Sequence, residues 1–418
     1  MKPTFSRYHA PKDTLQRMQH PEPDPTNALP DPITKLALLL EEQGHATYWV
    51  GEGLSRAVDG KAPRQFSFVT SAQPEEIVSS LPTAVPTRSQ GLSFVVPSAS
   101  GPIDLASLRP GETIEANLAE RGFRVLAMAW RASTQEWIDP HEGQGDLLAR
   151  RLRCIHEPSR DLARDPLRVL QAARLVADLA LGVDPSLEAA MEEAYRDGSA
   201  GVPTCRLRNE IHRLLLCPDP STGIELLRIT RVDQQLGVGG REDAGPLMAV
   251  MPSDLTLRWT IWLRNAVGSR PLRKLRVDID TAHAVQRLLT SHPIEERFPK
   301  RRGRTLRKRC EQIGEENYQK LIRLRTEELR AAEGEAAEVS RSALRKLAQD
   351  IEEETRQAEE ERKRVDPVIG GQEIMKILGL PPGPQVGAAL GFLRRHVAAH
   401  PDENTPDHLI ALLQEWSP

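Results

Sequence analysis

Hydrophobic positions change their spacing part-way along the chain. Up to about residue 150 they alternate with polar ones in short runs, as at 65–70, which is the period of a half-buried β-strand. Similar strand-like runs occur at 47–50, 92–96, 102–105 and 137–140. Beyond residue 150 the spacing becomes helical, as at Leu167, Leu170 and Ala173. The pattern predicts a mixed α/β head of about 150 residues, followed by an all-helical remainder.

Composition shifts divide the chain further. They predict a disordered Pro-rich arm (1–32), a head (33–150) and a neck (151–235). A helical body (236–333), a charged helix (334–365) and a small tail domain (366–418) follow. The charged helix could be a coiled-coil arm or a single exposed helix. Its apolar heptad is thin, which favours the single helix.

Charge and composition narrow the class of protein. The 418 residues carry a net charge of −3 and contain no apolar run of 18 or more, so we expect no membrane span. The N-terminal segment has no apolar stretch suitable for a signal peptide and the cysteines are scattered, so we expect a cytoplasmic protein with reduced thiols. The four cysteines form no CxxC pair, and none of the 11 histidines lies in an HExxH pattern, so no zinc site is expected.

A basic run is the candidate RNA surface. It indicates contact with phosphates, because RNA affinity in such runs is mostly electrostatic. The alternative is an ordinary solvated helix start. Its charged members are Lys300, Arg301, Arg302, Arg304, Arg307, Lys308 and Arg309.

Several spaced phrases resemble one known family. Residues 50–56 read V-G-E-G-L-S-R, beside the family pattern V-G-G-x-V-R-D, and residues 164–174 read R-D-P-L-R-V-L-Q-A-A-R, beside E-D-P-L-R-x-L-R-A-x-R. Further matches occupy 62–70, 114–129, 138–147 and 370–387. The chain thus resembles the class II tRNA nucleotidyltransferases, the family of CCA-adding enzymes and bacterial poly(A) polymerases. The resemblance implies an α/β head with a nucleotidyltransferase-type mixed sheet and helices, followed by an all-α neck, body and tail.

The resemblance also implies a pair of catalytic metal ions, which this chain is poorly equipped to hold. The family supplies an Asp-x-Asp pair on one strand and a third acid from a neighbouring strand, and Mg²⁺ prefers such oxygen ligands. Here the pair is replaced by Gln65 and Ser67, and only Asp104 survives as a candidate catalytic or metal-binding carboxylate. We therefore expect no cofactor, with Mg²⁺ and ATP or CTP needed only if activity is retained.

The phosphate-binding turn of the family is altered as well. Its second glycine is Glu52, and a carboxylate a few ångströms from a phosphate costs about 4 kcal/mol per charge pair at an effective dielectric constant of 20. By resemblance, the nucleotide-binding candidates near this turn are Gly51, Gly53, Arg56 and Arg121.

The base-reading helix of the family is better preserved. Asp165 and Arg168 keep an acceptor and a donor at i and i+3, and Arg174 follows on the same helix. The favoured alternative is purely structural: Asp165 caps a helix that has Pro166 at its first position.

Three functions are compatible with these residues. The first is a homologue that binds RNA, expected to be the 3′ end of tRNA, and has lost nucleotide addition. The second is an active but divergent metal-dependent nucleotidyltransferase acting in tRNA processing. The third is an interaction scaffold that recruits a partner, such as an active paralogue. None of them calls for a membrane or zinc.

Overall fold

The chain divides into two compact units, residues 1–289 and 290–418. The computed structural model describes residues 25–87, 92–198, 202–239, 241–264, 270–298, 303–330 and 332–416. Most of the predicted arm, residues 1–24, lies outside the described residues. Its remainder holds a 3₁₀ turn at Pro25–Ala28 and the start of the first α-helix, which begins at Asp31. Across the described residues no helix is both long and apolar enough to span a bilayer.

A mixed sheet forms the centre of the head, as the alternation predicts. Its strands are β1 (Thr47–Val50), β2 (Phe66–Thr70), β3 (Val85–Pro86), β4 (Ser93–Val96), β5 (Ile103–Ser107), β6 (Ala129–Arg131) and β7 (Glu136–Ile138). They lie in the order β3-β4-β5-β2-β1-β6-β7. The β2–β5 pair is parallel and the other pairs are antiparallel. Two neighbouring strands therefore run in the same direction at the middle of the sheet.

Short helices pack against this sheet. They are α1 (Asp31–Glu42), α2 (Glu52–Val58), α3 (Pro74–Ser80), α4 (Ile114–Ala119) and α5 (Gly143–Leu148). In α1 the buried residues follow helical spacing: Ile33, Leu36, Ala37 and Leu40. One core cluster joins strand residues Val50, Val69 and Ala129 to Leu118 of α4. The buried apolar residues hold the strands in position, and the polar residues next to them, such as Gln65, lie at the strand ends.

The rest of the first unit is helical apart from the parallel pair β8 (Arg151–Leu152) and β9 (Gly182–Val183). Its helices are α6 (Pro158–Arg164), α7 (Arg168–Leu179), α8 (Pro185–Gly198), α9 (Thr204–Leu215), α10 (Ser221–Ile229), α11 (Val232–Leu236), α12 (Ala244–Val250), α13 (Leu255–Leu263), α14 (Arg270–Lys274) and α15 (Ile279–Ser291). Helix α7 contacts both α9 and α10, and most of its residues are buried. Polar residues on α7 must therefore find partners inside the protein.

The second unit is all-helical. It contains α16 (Ile294–Arg297), α17 (Arg304–Ile313), α18 (Glu315–Arg330), α19 (Glu335–Val365), α20 (Gly371–Leu378), α21 (Pro384–Ala399) and α22 (Pro406–Glu415). Helices α17 and α18 are separated at Gly314, where φ is +89°. The charged helix α19 is not a bare exposed helix, because it buries Leu344, Leu347 and Ile351 within the same unit.

Candidate functional site

The three residues at the family's metal positions lie together at the N-terminal ends of two central strands of the head sheet. Strands β2 and β5 pair in parallel with Ser67 opposite Asp104, and Gln65 directly precedes β2. Alternation along the chain puts Gln65 and Ser67 on the same face. The Gln65 side-chain amide donates a hydrogen bond to a carboxylate oxygen of Asp104. The arrangement expected of the site is therefore assembled, but with one carboxylate where the family has three.

The turn after β1 is built from glycines for steric reasons. Gly51 has φ of +75°, which side chains other than hydrogen adopt only with strain. A Cβ at Gly53 would lie 2.1 Å from the backbone oxygen of Gln65, so α2 can approach the metal-position residues only because Gly53 lacks a side chain. Both predicted glycines thus bring the start of α2 close to the Gln65–Asp104 pair.

Glu52 is held in a network of ion pairs. Its Oε2 lies 2.7 Å from Nη1 of Arg174 and 2.5 Å from Nη2 of Arg213. Glu210 completes the network, with Oε2 accepting a hydrogen bond of 2.7 Å from Arg174 Nε. Burial alone would lower the pKa of Arg174, but the two carboxylates outweigh it and raise that pKa. The added charge of Glu52 is therefore neutralised by the protein's own cations.

Arg56 is committed to a second network beside the first. Its Nη1 lies 2.5 Å from Oδ2 of the buried Asp178, whose Oδ1 also lies 3.0 Å from Nη1 of Arg64. Sequence reasoning treated Arg56 as a nucleotide contact and missed both Asp178 and Arg213, because no spacing rule links residues more than 100 positions apart. The two networks line a cavity of about 390 Å³ bounded by Glu52, Arg64, Gln65, Arg174, Asp178, Arg213, Leu216 and Cys217.

Arg121 has no such partner among the described residues. Its Nη2 donates to Asn117 Oδ1 at 3.2 Å, and its buried Nε has no hydrogen-bond partner in the described part of the chain. Its Nη1 faces the glycine turn, 3.3 Å from where a Cβ of Gly51 would lie. Burial lowers the pKa of this guanidinium to about 10. Of the predicted nucleotide-binding cations, Arg121 is the one best placed to meet an anion at the turn.

Asp165 and Arg168 do not form the predicted cap, because α7 begins at Arg168 with Leu167 as its N-cap, and Asp165 is the C-cap of α6. Asp165 Oδ1 accepts a hydrogen bond of 3.2 Å from the Leu167 backbone N–H, and its Oδ2 lies 3.4 Å from Nη2 of Arg206. Arg168 is buried, with Nη1 3.2 Å from Asp161 Oδ1 and Nη2 donating to the Glu120 carbonyl at 2.7 Å. Both side chains have structural partners within the protein, but the predicted N-cap at Asp165 with Pro166 as the first helical residue is wrong.

The basic run is only partly described. Lys300, Arg301 and Arg302 lie outside the described residues, and Arg304 begins α17. Within α17, Lys308 and Arg309 are exposed, and the Arg309 guanidinium lies 5.8 Å from the centre of the Phe298 ring. Arg307 is paired with Glu354, with Nε to Oε2 at 2.9 Å. Two side chains of the described run are thus exposed for contact with phosphates.

Comparison with known proteins identifies the family. The A-adding tRNA nucleotidyltransferase of Deinococcus radiodurans is 30% identical over 362 residues, which span 75% of this chain and 81% of that protein. The chain belongs to the class II tRNA nucleotidyltransferase family. The CCA-adding enzyme of Geobacillus stearothermophilus is 24% identical over 407 residues, 90% of this chain and 94% of that relative. No family model matches the sequence.

Solved structures of the family share the fold. The Bacillus stearothermophilus CCA-adding enzyme in complex with CTP has a TM-score of 0.62 at 21% identity, covering 93% of this chain and 98% of that one. A tRNA nucleotidyltransferase complexed with a primer tRNA and an incoming ATP analogue has a TM-score of 0.60 at 20% identity, covering 75% and 98%. The predicted fold class, an α/β head with a nucleotidyltransferase-type mixed sheet and an all-α remainder, is confirmed.

The divalent ions implied by this family do not fit the residues of this member. Gln65 directs an amide N–H, not an oxygen, at Asp104. In the described part of the head, no three His, Cys, Asp or Glu side chains converge on a point that could hold a metal. One carboxylate and one hydroxyl make a weak site for two divalent cations.

Proposed function

We propose that this chain binds the 3′ end of tRNA, or a similarly structured RNA, without adding nucleotides to it. One observation carries the proposal: the surviving carboxylate, Asp104, accepts a hydrogen bond from Gln65, a residue that replaces a metal ligand of the family. An amide in this position satisfies Asp104 without a cation. The site thus lacks the concentration of negative charge that metal-dependent chemistry needs.

The expected reduction in rate is large. Metal ions supply several kcal/mol of transition-state stabilisation in phosphoryl transfer. Since each 1.4 kcal/mol corresponds to a factor of ten, removing the ligands of both ions lowers the rate by orders of magnitude. The side chains have changed but their placement has not, because the paired strands β2 and β5 still hold the three positions close together.

The residues around the glycine turn are compatible with binding of an anion, but with a lower affinity for nucleotides than in the family. Glu52 places a carboxylate at the glycine turn, but Arg174 and Arg213 neutralise it. A bound triphosphate would have to compete with Glu52 for these two guanidinium groups. Arg121 faces the same turn and, within the described part of the chain, pairs with an amide oxygen and not with a carboxylate. This balance favours weak binding of a phosphate over productive binding of a nucleoside triphosphate.

The RNA-binding part of the proposal rests on α17. Lys308 and Arg309 are exposed on it, and a helix that presents cations can follow the phosphates of a duplex. Aromatic residues make up only 4% of the sequence, so stacking of single-stranded bases is a minor contribution. We expect recognition of duplex shape and backbone charge, with strong dependence on salt.

The first experiment measures incorporation of labelled ATP and CTP into tRNA that lacks its 3′ end, with Mg²⁺ and then Mn²⁺. The natural chain is compared with Asp104→Asn and with Asp280→Asn, a matched change at an exposed acid of α15. No incorporation by any of the three supports the proposal. Incorporation that Asp104→Asn abolishes and Asp280→Asn preserves would establish the alternative, a divergent active enzyme.

RNA binding is measured separately, by filter retention of the same tRNA over a series of salt concentrations. Lys308→Gln/Arg309→Gln is expected to weaken binding and to reduce the salt slope by about one for each phosphate that the protein no longer neutralises. Arg345→Gln/Lys346→Gln removes the same charge from exposed positions of α19 and serves as the control. Equal weakening by both pairs, or no binding at low salt, would refute RNA recognition through α17.

A further inference from the structure

Three imidazoles surround one carboxylate in the tail. His396 lies in the last turn of α21, His400 caps that helix, Glu403 ends a 3₁₀ turn, and His408 lies near the start of α22. His396 and His400 follow one another at i and i+4, so they lie on the same side of the helix end. Residues from two helices and their connection thus converge at one place.

The distances between these groups are short. His396 Nε2 lies 2.6 Å from Glu403 Oε2, and His408 Nε2 lies 3.1 Å from the same oxygen. One ligand atom each from His396, His400 and Glu403 all lie within 4.8 Å of one another. The ring of His396 is stacked against both other imidazoles, with centroids 4.9 and 5.5 Å away. Tetrahedral zinc ligands at about 2.0–2.1 Å from the ion are about 3.3 Å apart, so small rotations would suffice.

We propose that this turn binds a divalent transition-metal ion, with Zn²⁺ the best match, through His396, His400 and Glu403. His408 is within reach as a fourth ligand. Imidazole nitrogens with one carboxylate oxygen are a donor set that suits Zn²⁺ and neighbouring metals and is poor for Mg²⁺ or Ca²⁺. On binding, the ion replaces the Nε2 proton that His396 directs at Glu403, that proton is released to solvent, and the neutral ring keeps its other proton on Nδ1. The ion would therefore join the end of α21 to the start of α22.

The backbone that carries the cluster is held in place by the tail core and by hydrogen bonds. Val397 and Leu409, which follow His396 and His408 in the sequence, are fully buried in the tail core. The connection is anchored by Asn404, whose side chain donates to the Asp366 carbonyl and accepts from the Val368 N–H. Glu403 is already in contact with the histidines, since its carboxylate pairs with both His396 and His408. The ligands thus need little reorganisation to meet an ion.

Sequence patterns alone led to the opposite expectation, that no zinc site is present. No HExxH pattern is present, but His396 and His400 form a His-x₃-His pair. Glu403 and His408 follow the turn after α21, and the sequence spacing does not show that this turn brings them back to the pair. This site is separate from the residues of the head and does not depend on the function proposed above.

The test uses the full chain in reduced form, freed of metal by a chelator and carrying Cys205→Ser, because Cys205 is an exposed thiol that could bind metal independently. Equilibrium dialysis against Zn²⁺ with elemental analysis is expected to give one ion per chain. His396→Gln/His400→Gln should bind at least tenfold more weakly. His283→Gln, at an exposed position of α15, should bind as well as the parent.

Two further measurements keep the result interpretable. Glu403→Gln retains the size of the side chain but loses its charge, and it should weaken Zn²⁺ binding even if the histidine variants fold poorly. Zn²⁺ should also raise the Tm of the parent and of His283→Gln, and leave that of the double variant unchanged. Equal binding by the parent and by both cluster variants, or no ion retained by the parent, would overturn the proposal.

Discussion

Restoring the two missing carboxylates tests whether Gln65 and Ser67 are the reason that the head holds no metal ion. In the variant Gln65→Asp/Ser67→Asp, three carboxylates would meet where β2 and β5 begin. Ser67 lies opposite Asp104, and Gln65 lies on the same face of the sheet as Ser67. Without metal this arrangement should be unstable. It loses the hydrogen bond from Gln65 to Asp104, worth about 1 kcal/mol, and two carboxylates about 4 Å apart repel by up to about 4 kcal/mol at a dielectric constant of 20.

Exposure reduces the repulsion, because Gln65 is exposed and Ser67 and Asp104 are only partly buried. We therefore expect the metal-free variant to lose roughly 2–4 kcal/mol of stability. For a unit of this size each kcal/mol lowers Tm by about 2–4 °C, so a decrease of roughly 5–15 °C is expected. A Mg²⁺ concentration about 100 times its Kd would return about 2.7 kcal/mol, most of the loss.

The assay is thermal unfolding followed by calorimetry, with and without Mg²⁺. The natural chain should show no comparable Mg²⁺-dependent rise in Tm, and Ser342→Asp/Gln372→Asp, which adds the same charge at exposed helical positions, should behave like it. If the natural chain gains as much from Mg²⁺ as the carboxylate variant does, its own residues already hold the ion. The inference drawn from Gln65 and Ser67 would then be wrong.

Three further predictions concern the buried charges and thiols. Replacing Arg121 by Met should stabilise the ion-free protein in thermal melts while weakening retention of ATP, because a guanidinium whose pKa is lowered to about 10 by burial carries a penalty of up to about 3 kcal/mol when charged. Arg258→Met should lower Tm by roughly 5–10 °C and Arg258→Lys by less, since the buried guanidinium donates to the carbonyls of Leu215, Cys217 and Pro218. A thiol reagent at pH 8 should modify the exposed Cys205 well before Cys217, whose pKa burial raises to about 11, and mass spectrometry of partly labelled protein reports the order.

Local patterns predicted much of the head. The alternation at 65–70 places β2 within one residue, and the apolar run at 47–50 matches β1. The meeting of Gln65, Ser67 and Asp104 also follows from motif order and strand alternation. These features depend on residues close in sequence or on a family pattern, and both are visible in one chain.

Partners separated by long stretches of chain were not predictable. Glu52 looked like an uncompensated charge at the phosphate turn, but Arg213 on α9 supplies one of its partners from 161 positions away. Arg56 looked like a free cation, but Asp178 on α7 holds it. The tail cluster escaped for the same reason, because Glu403 and His408 reach His396 only through the turn between α21 and α22.

These compensations bear on what kind of protein this is. If residues of the site had changed without any constraint, some would be expected to leave unpaired charges beside the cavity, since buried groups without partners cost several kcal/mol. Instead Glu52 lies between two arginines, Arg56 faces an aspartate, and Gln65 satisfies Asp104. Arg121 is the exception among these described residues, and it faces the turn where an anion would bind. The pairing of Glu52, Arg56 and Gln65, together with Arg121 facing the turn, therefore supports the binding surface proposed above, because unconstrained change would have left some of these charges without partners.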